Sequence, residues 1–410
     1  MKKVVIIGGG AAGLMAAAAA AQKGAEVTLL EKNRQLGRKL MITGKGRCNV
    51  TNTANLQEFI KNIPGNGRFL YSAFSHFFNW DIRSFLEEQN VPLKEERGGR
   101  VFPVSDKAID VVAAFERELR RLAVRIVYNE DALELKIADG KVIGVYTKQN
   151  FYPADSVILA TGGASYPSTG SDGSGCKIAA KAGHTIIELH PALVPLESGE
   201  EWVKELQGLS LRNVNVKSYI DGREDSEMFG EMLFTHFGVS GPIILSMSRK
   251  IALALRSGKD AELEINLKPA LTREQLDKRV QRDLEKYSRK QIKNSLGELL
   301  PAKLIPVIID LACIDEDKFT NQISRSERER LVDILQHLRL HISRTRPLSE
   351  AIVTAGGIST KEINPKTMES KIIKDLYCVG KVVDIDGLTG GYNLQAAFSM
   401  GWTAGISCIE

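Results

Sequence analysis

The sequence predicts an α/β protein: a parallel sheet with packed helices, interrupted by an inserted segment of different texture. Three observations carry this reading. The opening stretch KKVVIIGGGAAGLMAAAAAAQKGAEVTLLEK (residues 2–32) reads as strand, tight turn, helix and strand. A second short apolar run, Ser156 to Ala160, also ends in a glycine pair, and the tail from Asp375 to Glu410 returns to strand, glycine-rich turn and helix. Between them, from about His190, apolar and polar residues alternate, as in LRNVNVKSYI and DAELEINLK. That alternation is the pattern of antiparallel strands. Residues 271–341 are charged and helical. The expected organisation is a split domain, 1–190 with 351–410. Into it are inserted a β-rich domain (191–270 and about 340–350) and a small helical subdomain (271–340).

Taken in order, Val4 to Ile7 is a β-branched run suited to a strand buried on both faces. Gly8, Gly10 and Gly13 then supply G-x-G-x-x-G ahead of an alanine-rich helix, Leu14 to Lys23, which Gly24 ends. In such a loop the first glycine permits the turn, the second lets backbone approach a pyrophosphate, and the third lets helix and strand pack closely. Ala11 and Ala12, between the last two glycines, join the cofactor-binding set, and the free N–H groups and partial positive charge of the helix N-terminus favour phosphate. Glu26 to Leu30 is the second strand. Glu31 closes it, placed to accept hydrogen bonds from ribose hydroxyls, with Lys32 next to it.

Residues 53–123 read as helical and rich in aromatics (FLYSAFSHFFNW, 69–80), at a density typical of core. Strand-like runs follow at Arg125–Asn129, Ala132–Ile137 and Lys141–Thr147. Asp139-Gly140 forms a hairpin turn between the last two. After Ser156–Ala160, Thr161, Gly162 and Gly163 begin a backbone-exposing loop that leads to a helix near Cys176–Ala182.

Composition excludes several classes. The chain has 410 residues, 43% hydrophobic and 26% charged, with net charge +5. That is an ordinary globular composition, too mildly basic for a dedicated nucleic-acid binder. Five cysteines, none in C-x-x-C, argue against a disulfide framework or a cysteine-rich zinc site. His337 and His341 are the nearest approach to a metal pair and lack a third ligand, so no metal is expected. Val4 to Ala21 is uncharged, but GGGAAG breaks it early, so neither export nor membrane insertion is expected, and the cytoplasm is the expected location.

One dinucleotide lying across the strand ends explains the scattered glycines. A second clamp lies in the tail, where Asp384 or Asp386 faces sugar-type hydroxyls in expectation. Gly390, Gly391, Tyr392 and Asn393 open a final helix whose N-terminus suits an electron-rich ring edge. This tail favours FAD over NAD. A Walker-A reading of GRKLMITGK fails, because six residues separate its glycines where four are required.

The resemblance then becomes specific. GRKLMITGKGRCNVTN (37–52), ATGGASYPSTGSDG (160–173), GEMLFTHFGVSGPIIL (230–245), TMESK (367–371) and GLTGGYNLQAAFSMGWTAG (387–405) stand in this chain. In these it resembles bacterial NAD(P)/FAD-dependent oxidoreductases of the BaiN/RdsA type, also labelled YhiN-like or the aminoacetone oxidase family. More distantly, the motif order is similar to that of fumarate-reductase and ketosteroid-dehydrogenase flavoproteins. The resemblance implies a Rossmann-type, glutathione-reductase-like FAD domain with an inserted β-barrel-like domain and a small helical domain. It also implies that residues 42–52 wrap the FAD pyrophosphate and reach the flavin. Arg38, Lys39, Lys45 and Arg47 are then candidates to neutralise phosphate, with Gly44, Cys48, Asn49 and Ala132 in the same cofactor set. Lys381 departs from the family, where many relatives carry an acid after that glycine.

The expected activity is hydride transfer from a reduced nicotinamide, NAD(P)H, through flavin N5 to a small organic acceptor such as a conjugated C=C. His236, in FTHFGVSGP, and Tyr392 are the candidate proton donors. Two alternatives stand beside it. One is a flavin oxidase of a small amine. The other is an RNA-binding flavoprotein using Arg273, Lys278, Arg279, Arg282, Lys286, Arg289 and Lys290, although Glu274, Asp277, Asp283 and Glu285 interleave with them. The expected partner is a small molecule, with neither membrane nor nucleic acid.

Overall fold

The computed structural model describes residues 1–410 and divides into two compact units. The first joins Met1–Ala192 to Leu348–Glu410, and the second is Leu193–Pro347.

A five-stranded parallel sheet builds the first unit. Its strands are β1 (Lys3–Ile7), β2 (Glu26–Glu31), β3 (Arg125–Tyr128), β4 (Ser156–Leu159) and β5 (Leu376–Cys378), in the order β5-β4-β1-β2-β3. The central position of β1 matches its unbroken apolar run, since Val4 to Ile7 are all buried. Helix α1 (Ala11–Gln22) follows the glycine loop directly, starting three residues before the alanine run alone suggested. A five-residue helix, α2 (Arg38–Ile42), follows β2, and α3 (Tyr392–Ser407) closes the chain.

Helix α1 is apolar on every side and is buried from Ala12 through Ala20. Small side chains let α3 lie against it at backbone distance. A Cβ on Gly401 would sit 2.3 Å from the Ala12 carbonyl oxygen, and one on Gly405 would sit 2.6 Å from that of Ala16. The aromatic run forms core as expected: the Phe59 ring meets those of Phe74 and Phe78 at 5.5 and 4.9 Å. Asp139 and Gly140 both adopt left-handed conformations in the hairpin turn between Ala132–Ala138 and Lys141–Thr147. The segment read as helical also holds a small sheet of Thr51–Asn52, Arg100–Pro103 and Leu93–Glu96. Strands this short carry too little alternation to be legible.

The second unit is a seven-stranded antiparallel sheet centred on the hairpin Ser210–Ile220/Arg223–Thr235. The expectation of a β-rich segment over 191–270 needs one correction. Pro242–Arg256 is a fifteen-residue helix. Pro242 pre-sets its first turn, and Ile243, Ile244, Met247 and Ile251 recur at helical spacing on its buried face. Helices Arg273–Lys286, Leu304–Leu311 and Arg325–Gln336 share one core with the sheet, where Leu276, Val280, Leu331 and Leu335 pack with Leu263 and Ile265.

No helix is long and apolar enough to cross a membrane. The uncharged N-terminal run resolves into β1, the turn and α1.

Replacing Gly401 by valine forces α1 and α3 apart. Overpacking of this kind costs about 1–3 kcal/mol, so the thermal midpoint should fall by several degrees. An unchanged midpoint would show that the helices can separate without loss.

Candidate functional site

The C-terminal ends of β1, β4 and β5 converge with the loops that follow them. In the first loop the three motif glycines meet three different demands. Gly8 has φ +105°, and a Cβ there would lie 2.7 Å from the Ala160 carbonyl oxygen. A Cβ on Gly13 would lie 1.9 Å from the Gly8 carbonyl oxygen. A Cβ on Gly10, by contrast, would meet nothing within 4 Å. The space before Gly10 is therefore open while the backbone around it is packed tight. No side chain caps α1 at Gly10, which leaves the first-turn N–H groups, from Ala11 to Gly13, for an external acceptor. This cradle fits a phosphate diester of the kind FAD carries.

Glu31 is buried at the end of β2. Its Oε2 accepts from the Gly9 N–H at 2.8 Å, and its Oε1 accepts from the Asn33 N–H and amide at 2.8 and 2.6 Å. A carboxylate has about four acceptor positions, so roughly one is left for a ribose hydroxyl. Beyond it opens a cleft of about 300 Å³ walled by Lys32, Asn33, Glu130, Lys148 and Pro167. Lys32 closes one side through an ion pair with Asp172 at 2.8 Å. Ala132 lies just past this wall, buried on its strand and paired with Thr147.

The second loop follows β4. Gly163 packs against Thr354, whose hydroxyl accepts from the Ala164 N–H at 2.9 Å. Lys39 reaches across from α2 to donate to Ser165, at 2.6 Å to Oγ and 3.0 Å to the carbonyl oxygen. Burial, and then the charge of Lys381, lower its pKa to about 8. Lys381 itself donates to the carbonyls of Gly356 and Val383 at 3.2 and 3.1 Å.

The third loop, residues 42–52, is stitched to the N-terminus of α3. Thr51 donates to Gln395 at 2.6 Å, and Asn52 donates to the Gly390 carbonyl at 2.9 Å. Asn49 is oriented so that its oxygen accepts from the Gly391 N–H at 3.0 Å and its nitrogen donates to Thr51 and Val101. A Cβ on Gly391 would lie 2.3 Å from the Thr51 carbonyl oxygen, so only glycine allows this contact. Gly44 turns the loop in a left-handed conformation, and Lys45 beside it is exposed. Cys48 is fully buried. Desolvation pushes its thiol up to about 12, against a hydrogen bond with Thr43 that lowers it, so it is inert and structural.

Several residues expected at the cofactor are committed elsewhere. Arg47 lies between Glu96 and Asp106, with its guanidinium 4.1 Å from the centre of the Phe102 ring. Arg38 is exposed and donates to Asn33 at 2.7 Å. The Thr161 hydroxyl is buried against Gly175 with no partner, and Gly162 packs beside Ser171. Asp384 accepts from the Gly356 N–H and from Asn66. Asn393 braces Gly387 and Leu388. Tyr392 packs edge-on to Phe59 at 4.9 Å, and burial raises its pKa. His236 is exposed in the second unit, one residue past the strand ending at Thr235, its ring 4.9 Å from that of Phe237. The sequence reading passed over Thr354, Ser165 and Gln395. The glycine pair Gly356-Gly357 was the available signal for the first.

The profile of the family described as HI0933-like protein Rossmann domain matches residues 2–407. The chain belongs to this family. It is 34% identical over 395 residues to a 3-dehydro-bile acid delta(4,6)-reductase of Clostridium scindens, covering 94% of this chain and 93% of the relative. It is 30% identical over 389 residues to a ribosomal RNA dihydrouridine synthase of Haemophilus influenzae, covering 94% and 92%. Among solved structures it is similar to an E. coli quinol fumarate reductase FrdA, with TM-score 0.53 and 16% identity, over all of this chain and 70% of that one. At that identity the likeness concerns the fold. Family and fold agree with the motifs: this HI0933-like chain is an enzyme, an FAD-dependent oxidoreductase.

The glycines give a paired test. Gly10 has φ −86° and open space before it. Gly10→Ala should leave stability within about 0.5 kcal/mol but lower the flavin retained on purification. Gly13→Ala should lower the melting temperature itself. Flavin absorbance per chain, read beside a thermal melt, checks both. Equal behaviour of the two variants would refute the division of roles.

Proposed function

We propose that this chain is an NAD(P)H-fed reductase that saturates a C=C bond conjugated to a carbonyl in a small molecule. The observation that carries the reading is what the two relatives' names share. A delta(4,6)-reductase of a 3-dehydro bile acid and a dihydrouridine synthase both reduce a C=C bond conjugated to a carbonyl, on very different scaffolds. In net terms NAD(P)H is oxidised, its hydride ends on the β-carbon, and a proton is added at the α-carbon. Bound FAD supplies the two-electron carrier between donor and acceptor.

The chain's own groups divide the remaining work. The Gly8–Gly13 cradle and Lys39 hold the diphosphate, Glu31 one ribose, and the cleft beside Lys32 the adenine end. The N-terminus of α3 would favour the electron-rich edge of the ring. Residues 1–190 with 351–410 form the cofactor domain. In the inserted segment, His236 is the candidate proton donor. Its exposure and its place on a turn braced by Gly238 support this, since a Cβ on Gly238 would lie 2.1 Å from the Leu196 carbonyl oxygen. The enzyme works in the cytoplasm.

A second reading takes the acceptor as a uracil ring within RNA, favoured by the name of the H. influenzae relative. The helical segment 271–341 is a poor RNA face. Arg273 pairs with Asp333, Arg279 with Asp283, Arg328 with Asp277 and Lys286 with Glu298. A salt-dependent gel shift with ribosomal RNA, absent with a free nucleoside, would establish that reading instead.

Anaerobic mixing with NADH or NADPH should bleach the flavin band, and a cyclic enone should restore it. No bleaching, together with peroxide formed from an amine in air, would make the enzyme an oxidase. His236→Ala should slow the enone half-reaction by about 10²–10⁴-fold and leave bleaching by nicotinamide unchanged. Equal loss in both halves would remove His236 from the chemistry.

A further inference from the structure

The wall of the cleft beyond Glu31 contains a second acid, Glu130, only 8% exposed. It lies just past β3, and two backbone bonds set that stretch beside the end of β2. The Glu130 N–H donates to the Glu31 carbonyl at 3.0 Å, and the Asn129 N–H donates to that of Asn33 at 3.1 Å. The acid suited to a ribose and this second acid therefore border one cleft, all within the first unit. At about 300 Å³ the cleft is at the small end of ligand pockets. Pro167 and Gly170 add wall that carries no hydrogen-bonding side chain, suited to the face of a flat ring.

The Glu130 carboxylate is held through one of its two oxygens. The Thr147 hydroxyl and the Asn150 amide, the latter at 3.1 Å, both donate to Oε1. Thr147 is fixed in turn by the Asn150 N–H, which donates to its hydroxyl at 2.9 Å. Neither bond ends on Oε2. The lysines of the same wall have acids of their own, Lys32 with Asp172 at 2.8 Å and Lys148 with Asp131 at 3.6 Å. Glu130 is thus met by a neutral hydroxyl and a neutral amide. A desolvated carboxylate with part of its acceptor capacity unfilled favours a ligand that brings N–H donors. Next to a ribose, the only N–H donors of an adenine dinucleotide are those of the adenine 6-amino group.

We propose that Glu130 is a specificity-determining residue for the cofactor, accepting a hydrogen bond from the adenine 6-amino group and rejecting a purine with an oxygen at that position. This rests on the flavin reading of the same site. With hypoxanthine in place of adenine, O6 sets acceptor against acceptor and leaves the carboxylate unpaired in a desolvated wall. Glu130→Gln changes the preference without changing the volume. Its Oε1 still accepts from Thr147 and Asn150, and its amide nitrogen then stands where Oε2 was. That nitrogen donates to O6 and cannot accept from an amine.

The test is calorimetric titration of the flavin-stripped full chain with FAD, with its deamino (hypoxanthine) analogue and with FMN. The unaltered chain should bind the deamino analogue about 10- to 100-fold more weakly than FAD. In Glu130→Gln that preference should shrink to a few-fold or invert. Equal affinity for the two dinucleotides in the unaltered chain, or undiminished discrimination in Glu130→Gln, would overturn the proposal. The comparison in the unaltered chain decides the matter even if the variant does not fold. FMN bound as tightly as FAD would also overturn it, while leaving the chain a flavoprotein. Binding of no flavin at all would overturn the flavin reading beneath it.

Discussion

The site depends on how closely backbone can approach α1. Gly13 brings the first turn of α1 against Gly8, and Gly401 and Gly405 bring α3 against its other side. Gly380 sets the turn after β5 beside Ala12. A β-carbon at any of these positions would displace the helix by a sizeable part of an ångström or more. The alanine content of α1 follows from the same geometry, since larger side chains would hold its neighbours off. With the helix pinned on these sides, its N-terminus and the open space at Gly10 point to a fixed place. Such fixing is what lets backbone dipoles act on a phosphate without reorganising.

The same constraint explains how the two ends of the chain make one domain. The sheet places β5, from the tail, beside β4, and the chain then returns along α3 to lie on α1. Loop 42–52 completes the circuit by bonding to Gly390, Gly391 and Gln395. The inserted residues 193–347 leave and re-enter this domain at neighbouring points, because the strands Ile186–Ala192 and Val353–Ile358 pair antiparallel with each other. An insertion entering through a paired ladder can carry its own core without disturbing the parent sheet. The second unit does have such a core, built from its sheet and helices together.

How much of this was legible in the sequence depends on the range of the interaction. The spacing of Gly8, Gly10 and Gly13 falls within six residues, so the motif is legible, although the contact that constrains Gly8 is with the distant Ala160. The acid at Glu31 is legible from its place at the end of the second strand. Arg47 was not, because its partners Glu96 and Asp106 lie some fifty residues along the chain, on a small sheet too short to announce itself. Helix Pro242–Arg256 was missed because the alternation on both sides of it invited one reading for the whole stretch. Thr354 and Gln395 are single polar residues inside apolar or glycine-rich runs, and only the folded chain shows what they hold.

Charge is distributed by the same long-range pairing. Of the cations the sequence offers to a phosphate, Arg47 is neutralised by two acids, Lys32 pairs with Asp172, and Arg38 is turned to an amide. The net charge of +5 is therefore a poor guide to where positive potential is felt. Lys39 meets no acid among its hydrogen-bond partners and donates instead to the hydroxyl and carbonyl oxygens of Ser165. Burial of that ammonium lowers its pKa to about 8, so position within the fold, more than the sum of charges, sets how readily each cation holds its proton.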